Sequence, residues 1–179
     1  MPAPRRVRHR TVYKGRVFTV DRDDVRLPNG RVVAMDIVRH RGSVVLVPQP
    51  DPDHVILIRQ FRYVIGRWIW ELPAGSLDPG EPPGKAARRE CAEEIGWTPR
   101  RIRKLARFYP TPGFCDELMT FYHCTDLVKP RGHVALDPDE QIEPRAFTMS
   151  EATRMVASGH IIDMKTVLGL QLVSLAGRE

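Results

Sequence analysis

Residues 75–97 read GSLDPGEPPGKAARRECAEEIGW, and this stretch decides the fold. Glu90, Glu93 and Glu94 stand at i, i+3 and i+4, so on a helix their carboxylates share one face. Three like charges stacked this way repel unless a cation sits among them, and a ligand set made only of oxygen suits a hard ion such as Mg²⁺ or Mn²⁺. The local signals agree that the segment is a helix. Pro82-Pro83 can open one, because the first turn needs no internal N–H partner, and Gly96 can end it in a left-handed conformation. The turn Leu72-Pro73-Ala74-Gly75 leads into it. A loop followed by an acidic helix implies metal-assisted chemistry on a phosphate, whereas an E-x-x-E-E on its own would read as a solvated helix face.

Spacing carries the reading further. Gly75, Glu81, Arg89, Glu90, Glu93, Glu94 and Gly96 fill every glycine and polar position of Gx5Ex7REUxEExGU, in which U is apolar. The chain therefore resembles the Nudix hydrolases. Cys91 and Trp97 occupy U positions where an aliphatic residue is usual, and both can pack against a sheet. The resemblance implies an α/β Nudix fold, a mixed β-sheet sandwiched between helices. It also implies that Glu90 and Glu94 hold the metal together with the carbonyl of Ala74, that Glu93 lies nearby, and that Arg89 braces the loop against the helix through Glu81.

Working outward, the 179 residues suit one well-packed domain with a small extension, and 42% hydrophobic content can supply its core. No apolar run reaches the length of a membrane span, and the basic start lacks the apolar centre of a signal peptide. A cytoplasmic protein is expected. Three cysteines without a CxxC pairing argue against a disulfide scaffold or structural zinc. The net charge of +6 suits an anionic small-molecule substrate. Nucleic acid is not expected as a partner, since the cluster Arg100, Arg101, Arg103 and Lys104 has no interleaved aromatics. The arm carrying Arg5, Arg6, Arg8 and Arg10 is read as a solvated terminal tail.

Arg16–Leu27 and Arg31–His40 read as two strands joined by an Asn29-Gly30 hairpin turn. They form an N-terminal antiparallel ribbon, residues 1–41, ahead of a Nudix domain at 42–179. Strands are predicted at Ser43–Val47, Val55–Tyr63, Trp68–Leu72, Ile102–Tyr109, Leu118–Asp126 and near Ala146-Phe147. A polar loop spans 128–142. Two helices close the chain, one capped by Ser150 and one by Asp163, the second presenting Met164, Val167, Leu168 and Leu172 to the core.

Substrate choice rests outside the box. Pro112 stands 16 residues after Gly96, where the ADP-ribose pyrophosphatase subfamily carries a marker proline. The surrounding T-P-G-F-C-D-E resembles its substrate loop, which makes Glu117 a candidate for a ribose hydroxyl. R-Q-F-R-Y at 59–63 and G-R-W at 66–68 resemble the same subfamily, with Arg62 and Arg67 implied to grip the diphosphate. In the segment D-P-D-E-Q-I-E, Glu140 is implied as general base or further metal ligand, with Asp139 second. The resemblance implies a homodimer whose ribbon encloses the adenine, with Phe18 and Arg39 as candidates. The expected reaction is Mg²⁺- or Mn²⁺-dependent hydrolysis of ADP-ribose to AMP and ribose 5-phosphate. Other nucleoside diphosphate sugars, NADH, an RNA cap, or sensing of ADP-ribose without catalysis stay open as alternatives.

Overall fold

The computed structural model describes residues 2–129 and 141–177. Its contacts divide the chain into two compact units, Met1–Gly42 with Phe108–Met119, and Ser43–Arg107 with Thr120–Glu179.

The first unit holds the sheet β1-β2-β3, formed by β1 (Arg5–Lys14), β2 (Phe18–Arg26) and β3 (Val32–His40), paired antiparallel. Gly30 closes the expected hairpin: its φ is +83° and its N–H donates to the Leu27 carbonyl. β1 corrects the expectation of a tail. Its ten residues are exposed on both faces, so burial leaves no alternating pattern to read. What holds it is cross-strand polarity. Thr11 donates to Asp21 at 2.7 Å and His9 meets Asp23 at 2.7 Å, both carboxylates being buried in β2. The segment 108–119 hangs on β3, where the Val38 N–H donates to the Phe114 carbonyl and the Asp116 N–H donates to that of Val38.

The second unit has two sheets and three helices. One sheet orders β10 (Ile142–Thr148), β5 (His54–Arg62) and β6 (Arg67–Glu71), with a single 3₁₀ turn, Tyr63–Ile65, between the last two. The other orders β7 (Ala74–Ser76), β4 (Ser43–Pro48), β9 (Met119–Val128) and β8 (Thr98–Phe108). β4 is buried along its whole length, which explains its unbroken apolar sequence. The helix α1 (Pro83–Ile95) lays Ala86, Ala87, Cys91 and Ile95 on Val44, Leu46, Ile56 and Ile58. Trp97 packs against the same cluster, so both unusual U residues serve as core.

The two C-terminal helices correct the sequence reading in detail. α2 (Met149–Ala157) is capped by Thr148 rather than Ser150, because Thr148 and Glu151 complete a reciprocal capping box that Ser150 has no partner to form. α3 (Met164–Ala176) is capped by Asp163 as expected. Its buried face, however, is Thr166, Gly169, Leu170 and Val173, while Met164 is exposed and Val167, Leu168 and Leu172 are half-buried. The helix is apolar nearly all round, so periodicity alone could not choose the face. Gly169 chose it. A Cβ there would lie 2.3 Å from Leu72 Cδ1 and 3.2 Å from Val47 Cγ2, so only glycine lets the helix approach this closely. Gly169→Val is expected to cost about 1–3 kcal/mol through overpacking, which a thermal melt should show as a clear fall in Tm.

Candidate functional site

The candidate site is built where the short strand β7 meets α1. Gly75 has no side chain, and the space a Cβ would take is filled by the Glu90 carboxyl group, 2.0 Å from that position. The box therefore needs glycine here because a carboxylate lies against the backbone. Glu94, one helical turn on, accepts the Ala74 N–H at 2.9 Å. Both carboxylates are buried, at 8% and 4% exposure, and flank the apolar stripe that docks α1. Glu93 sits further out and is half-buried.

A cation does lie among the glutamates, and it is Arg89. Its Nε and Nη2 donate to the two oxygens of Glu81, at 3.2 and 2.9 Å, and its Nη1 donates to Glu90 at 2.7 Å and Glu93 at 2.9 Å. Nη2 also reaches the Ser76 carbonyl, tying the turn to the helix. The hydrogen bond from Arg89 holds the Glu81 carboxyl below its usual pKa, and Glu81 in turn raises that of the guanidinium. Part of the repulsion inferred from spacing is thus relieved within the protein.

The donor set for a divalent ion is small. Among the described residues no three His, Cys, Asp or Glu side chains form a cage. Two buried carboxylates one turn apart nonetheless suit Mg²⁺, which keeps several waters and takes one or two protein carboxylates plus substrate oxygens. The residues fit. When bound, such an ion withdraws charge from phosphate oxygens and lowers the pKa of a coordinated water.

The structure places the remaining candidates as follows. Arg62 is not a loose cation: its Nε and Nη2 donate to Glu71 at 2.6 and 2.7 Å. Glu71 is 1% exposed and also pairs with Lys165, whose Nζ lies 3.0 Å from Asp163. Burial pushes the Glu71 carboxyl up, but Arg62 and Lys165 outweigh it and hold the group low. Arg67 is exposed at the start of β6. In the first unit, Arg39 pairs with Asp21 at 3.0 Å and Asp116 at 3.1 Å, Pro112 is exposed, and the Glu117 carboxylate lies 3.9 Å from His40. Phe18 is tilted against Tyr13 with ring centroids 5.9 Å apart. Glu140 and Asp139 lie outside the described residues. Cys91 is a packed core thiol, which contact with Cys124 and burial both push well above the ordinary range.

Sequence reasoning missed Glu71, Lys165 and Thr166. A signal existed: Glu71 ends the run Trp68-Ile69-Trp70, and a charge in a buried strand demands partners. A cleft of about 610 Å³, lined by Gln49, Asp51, Arg103, His123, Asp126 and Val173 among others, contains none of the box residues.

A family model described as NUDIX domain matches residues 38–166. The chain belongs to the Nudix family. A second model, described as the nucleoside diphosphate sugar hydrolase N-terminal domain, matches residues 5–34. The chain is similar to ADP-ribose pyrophosphatase of Bacillus subtilis, with 35% identity covering 92% of this chain and 89% of that protein. The methanol dehydrogenase activator of Bacillus methanolicus shows the same identity and coverage. ADP-ribose pyrophosphatase of Mycobacterium tuberculosis is 34% identical over 91% of this chain and 79% of its own. The crystal structure of an ADP compounds hydrolase superposes with a TM-score of 0.83 at 26% identity, covering 99% of this chain and 97% of that one. The Nudix fold and hydrolase class expected from the box are those found, and Nudix hydrolases generally need a divalent metal.

Two outcomes are expected. Gly75→Ala should displace the Glu90 carboxylate and lower turnover by about tenfold or more, read by steady-state assay with a thermal melt as control. Glu71 has a depressed folded pKa, so its stabilisation is present above the unfolded value near 4.3 and is lost as pH falls through the lower folded one. The Tm gap between wild type and Glu71→Gln should therefore narrow as pH falls from about 5 to about 3.

Proposed function

We propose that this Nudix hydrolase cleaves the diphosphate bond of ADP-ribose, giving AMP and ribose 5-phosphate, with Mg²⁺ or Mn²⁺ as the working ion. The observation that carries the proposal is the seating of Glu90 against Gly75 with Glu94 fixed on the Ala74 N–H, which presents two carboxylates from one helix face to the Ala74–Gly75 backbone. Glu90, Glu94 and the Ala74 carbonyl would hold the ion. Arg89 keeps the turn and helix in register. A water oxygen attacks one phosphorus, the bridging P–O bond breaks, and the leaving phosphate departs with its oxygen. The proton of the water passes to a carboxylate, for which Glu140 is the candidate with Asp139 second, while Glu93 lies nearby as a ligand or water-mediated contact. Arg39, Arg62, Arg67, Pro112 and Glu117 are assigned to substrate, with Arg62 oriented by Glu71.

The choice of ADP-ribose is supported by relatives that carry that activity in their names and by the ADP compounds hydrolase of similar fold. A second reading, another nucleoside diphosphate sugar, has support of its own. GDP-mannose pyrophosphatase of Salmonella typhimurium is 33% identical over 74% of this chain and 77% of its own. We also assign residues 1–41 to dimerisation and substrate contact, with a homodimer as the assembly. The exposed Val7, Val12, Tyr13 and Phe18 of this sheet support that assignment. No described helix is long and apolar enough to cross a membrane. The three free thiols fit the cytoplasm, where cysteines stay reduced.

Incubating the protein with ADP-ribose, GDP-mannose or NADH in ¹⁸O-labelled water and Mg²⁺ should show the fastest turnover on ADP-ribose, with the label in one phosphate product. Faster cleavage of GDP-mannose would move the substrate to the second reading. Glu94→Gln should lower turnover by about 100-fold or more, since a charged donor is lost while volume and the Ala74 hydrogen bond can be kept. Activity within a few-fold of wild type would remove Glu94 from the metal site.

A further inference from the structure

The backbone segment Leu72-Pro73-Ala74 reaches the site tied at several points. The Pro73 carbonyl accepts the Leu46 N–H at 2.9 Å, and the Ala74 N–H donates to Glu94. The Leu72 N–H is claimed from much further along the chain. It donates at 2.7 Å to Oγ1 of Thr166, a residue 94 positions away with no exposed surface. That hydroxyl is itself oriented, because its hydrogen goes to Asp163 Oδ2 at 2.5 Å, leaving a lone pair for the Leu72 amide. Asp163 is the cap of α3 and also accepts the Thr166 N–H at 3.0 Å. One carboxylate therefore starts the helix and sets the hydroxyl. Gly169 one turn on presses the helix against Leu72 Cδ1, and Lys165 pairs with Glu71 on the other side of the same peptide.

We propose that Thr166, set by Asp163, is a positioning residue for the metal site: it fixes the backbone that carries the Ala74 carbonyl and the glycine against which Glu90 rests. This inference rests on the metal reading of Ala74, Glu90 and Glu94. The physical basis is twofold. A buried N–H that loses its acceptor must find another or shift, at a cost of about 1–3 kcal/mol. Groups that orient metal ligands typically contribute about 10–100-fold in metal affinity. Pro73 has no N–H of its own, so between Glu71 and Ala74 the Leu72 amide is the donor available to hold the turn from the α3 side. The hydroxyl of Thr166 bonds to the Leu72 amide and to Asp163, so it acts through the main chain.

The test uses the full-length chain and Mn²⁺ alone. Binding is read from the loss of the free-ion EPR signal, and the backbone from hydrogen exchange of the 72–76 amides in metal-free protein. Thr166→Val, which keeps the shape and removes the acceptor, should weaken Mn²⁺ binding about tenfold or more and speed exchange at Leu72. Thr166→Ser, which restores the hydroxyl, should stay near wild type in both. Val173→Ala, on the same buried face but away from the hook, should lower Tm without changing Mn²⁺ affinity. Should Thr166→Val not fold, Thr166→Ala leaves room for a water to take the amide and should show a smaller change of the same sign. Unchanged Mn²⁺ affinity in the folded variant, or serine behaving like valine, would overturn the positioning role. Failure of the wild type itself to bind Mn²⁺ would overturn the metal reading and this inference with it.

Discussion

The closeness of the Glu90 carboxyl group to the Gly75 backbone is the constraint on which the rest depends. A helix can bring a carboxylate this near a strand only if the facing residue has no Cβ, and β7 can hold its place only if β4 and α1 around it are fixed. The core of α1 provides the second condition. Ala86 and Ala87 are small enough to let the helix lie close on β4 and β5, while Cys91 and Ile95 continue the stripe. The acidic residues then fall at the margin of a packed face, where burial makes their charge costly and a cation favourable.

Two arginine-centred clusters organise that charge. Arg89 gathers Glu81, Glu90 and Glu93, so it works as an internal counterion and as a tie between turn and helix. Arg62 and Lys165 share the deeply buried Glu71 at the end of β6. Buried pairs of this kind contribute less to net stability than their geometry suggests, because each charge has left water. Their effect is geometric: removing either cation would leave the buried Glu71 with a single partner, so β5, β6 and the start of α3 are held to one arrangement.

Much of the box could be read from sequence because its elements are local. Proline opens the helix, glycine ends it, and spacing alone puts Glu90, Glu93 and Glu94 on one face. What escaped was non-local. β1 has neither a buried face nor an apolar alternation; its partners are Asp21 and Asp23, whose period-two spacing becomes meaningful once the Thr11 and His9 contacts are seen. The face of α3 escaped because nearly every side of it is apolar, and the choice was made by one glycine against Leu72. Thr166 gives no signal of its own in a sequence. Arg62 could be singled out, but its commitment to Glu71 depends on the antiparallel register of β5 with β6.

The fully exposed β1 has a bearing on solubility. It lies at one end of its sheet's strand order, so an edge of main-chain donors and acceptors is offered to any other chain. Such edges invite fibril-like stacking when they are flat and uncharged. Here Arg5, Arg6, Arg8, Arg10 and Lys14 line the strand, and a second copy laid against it in the same direction would set arginine over arginine at each 4.7–4.8 Å step, roughly the cross-β repeat. Like charges at that spacing disfavour such stacking, whatever anion the arm also meets.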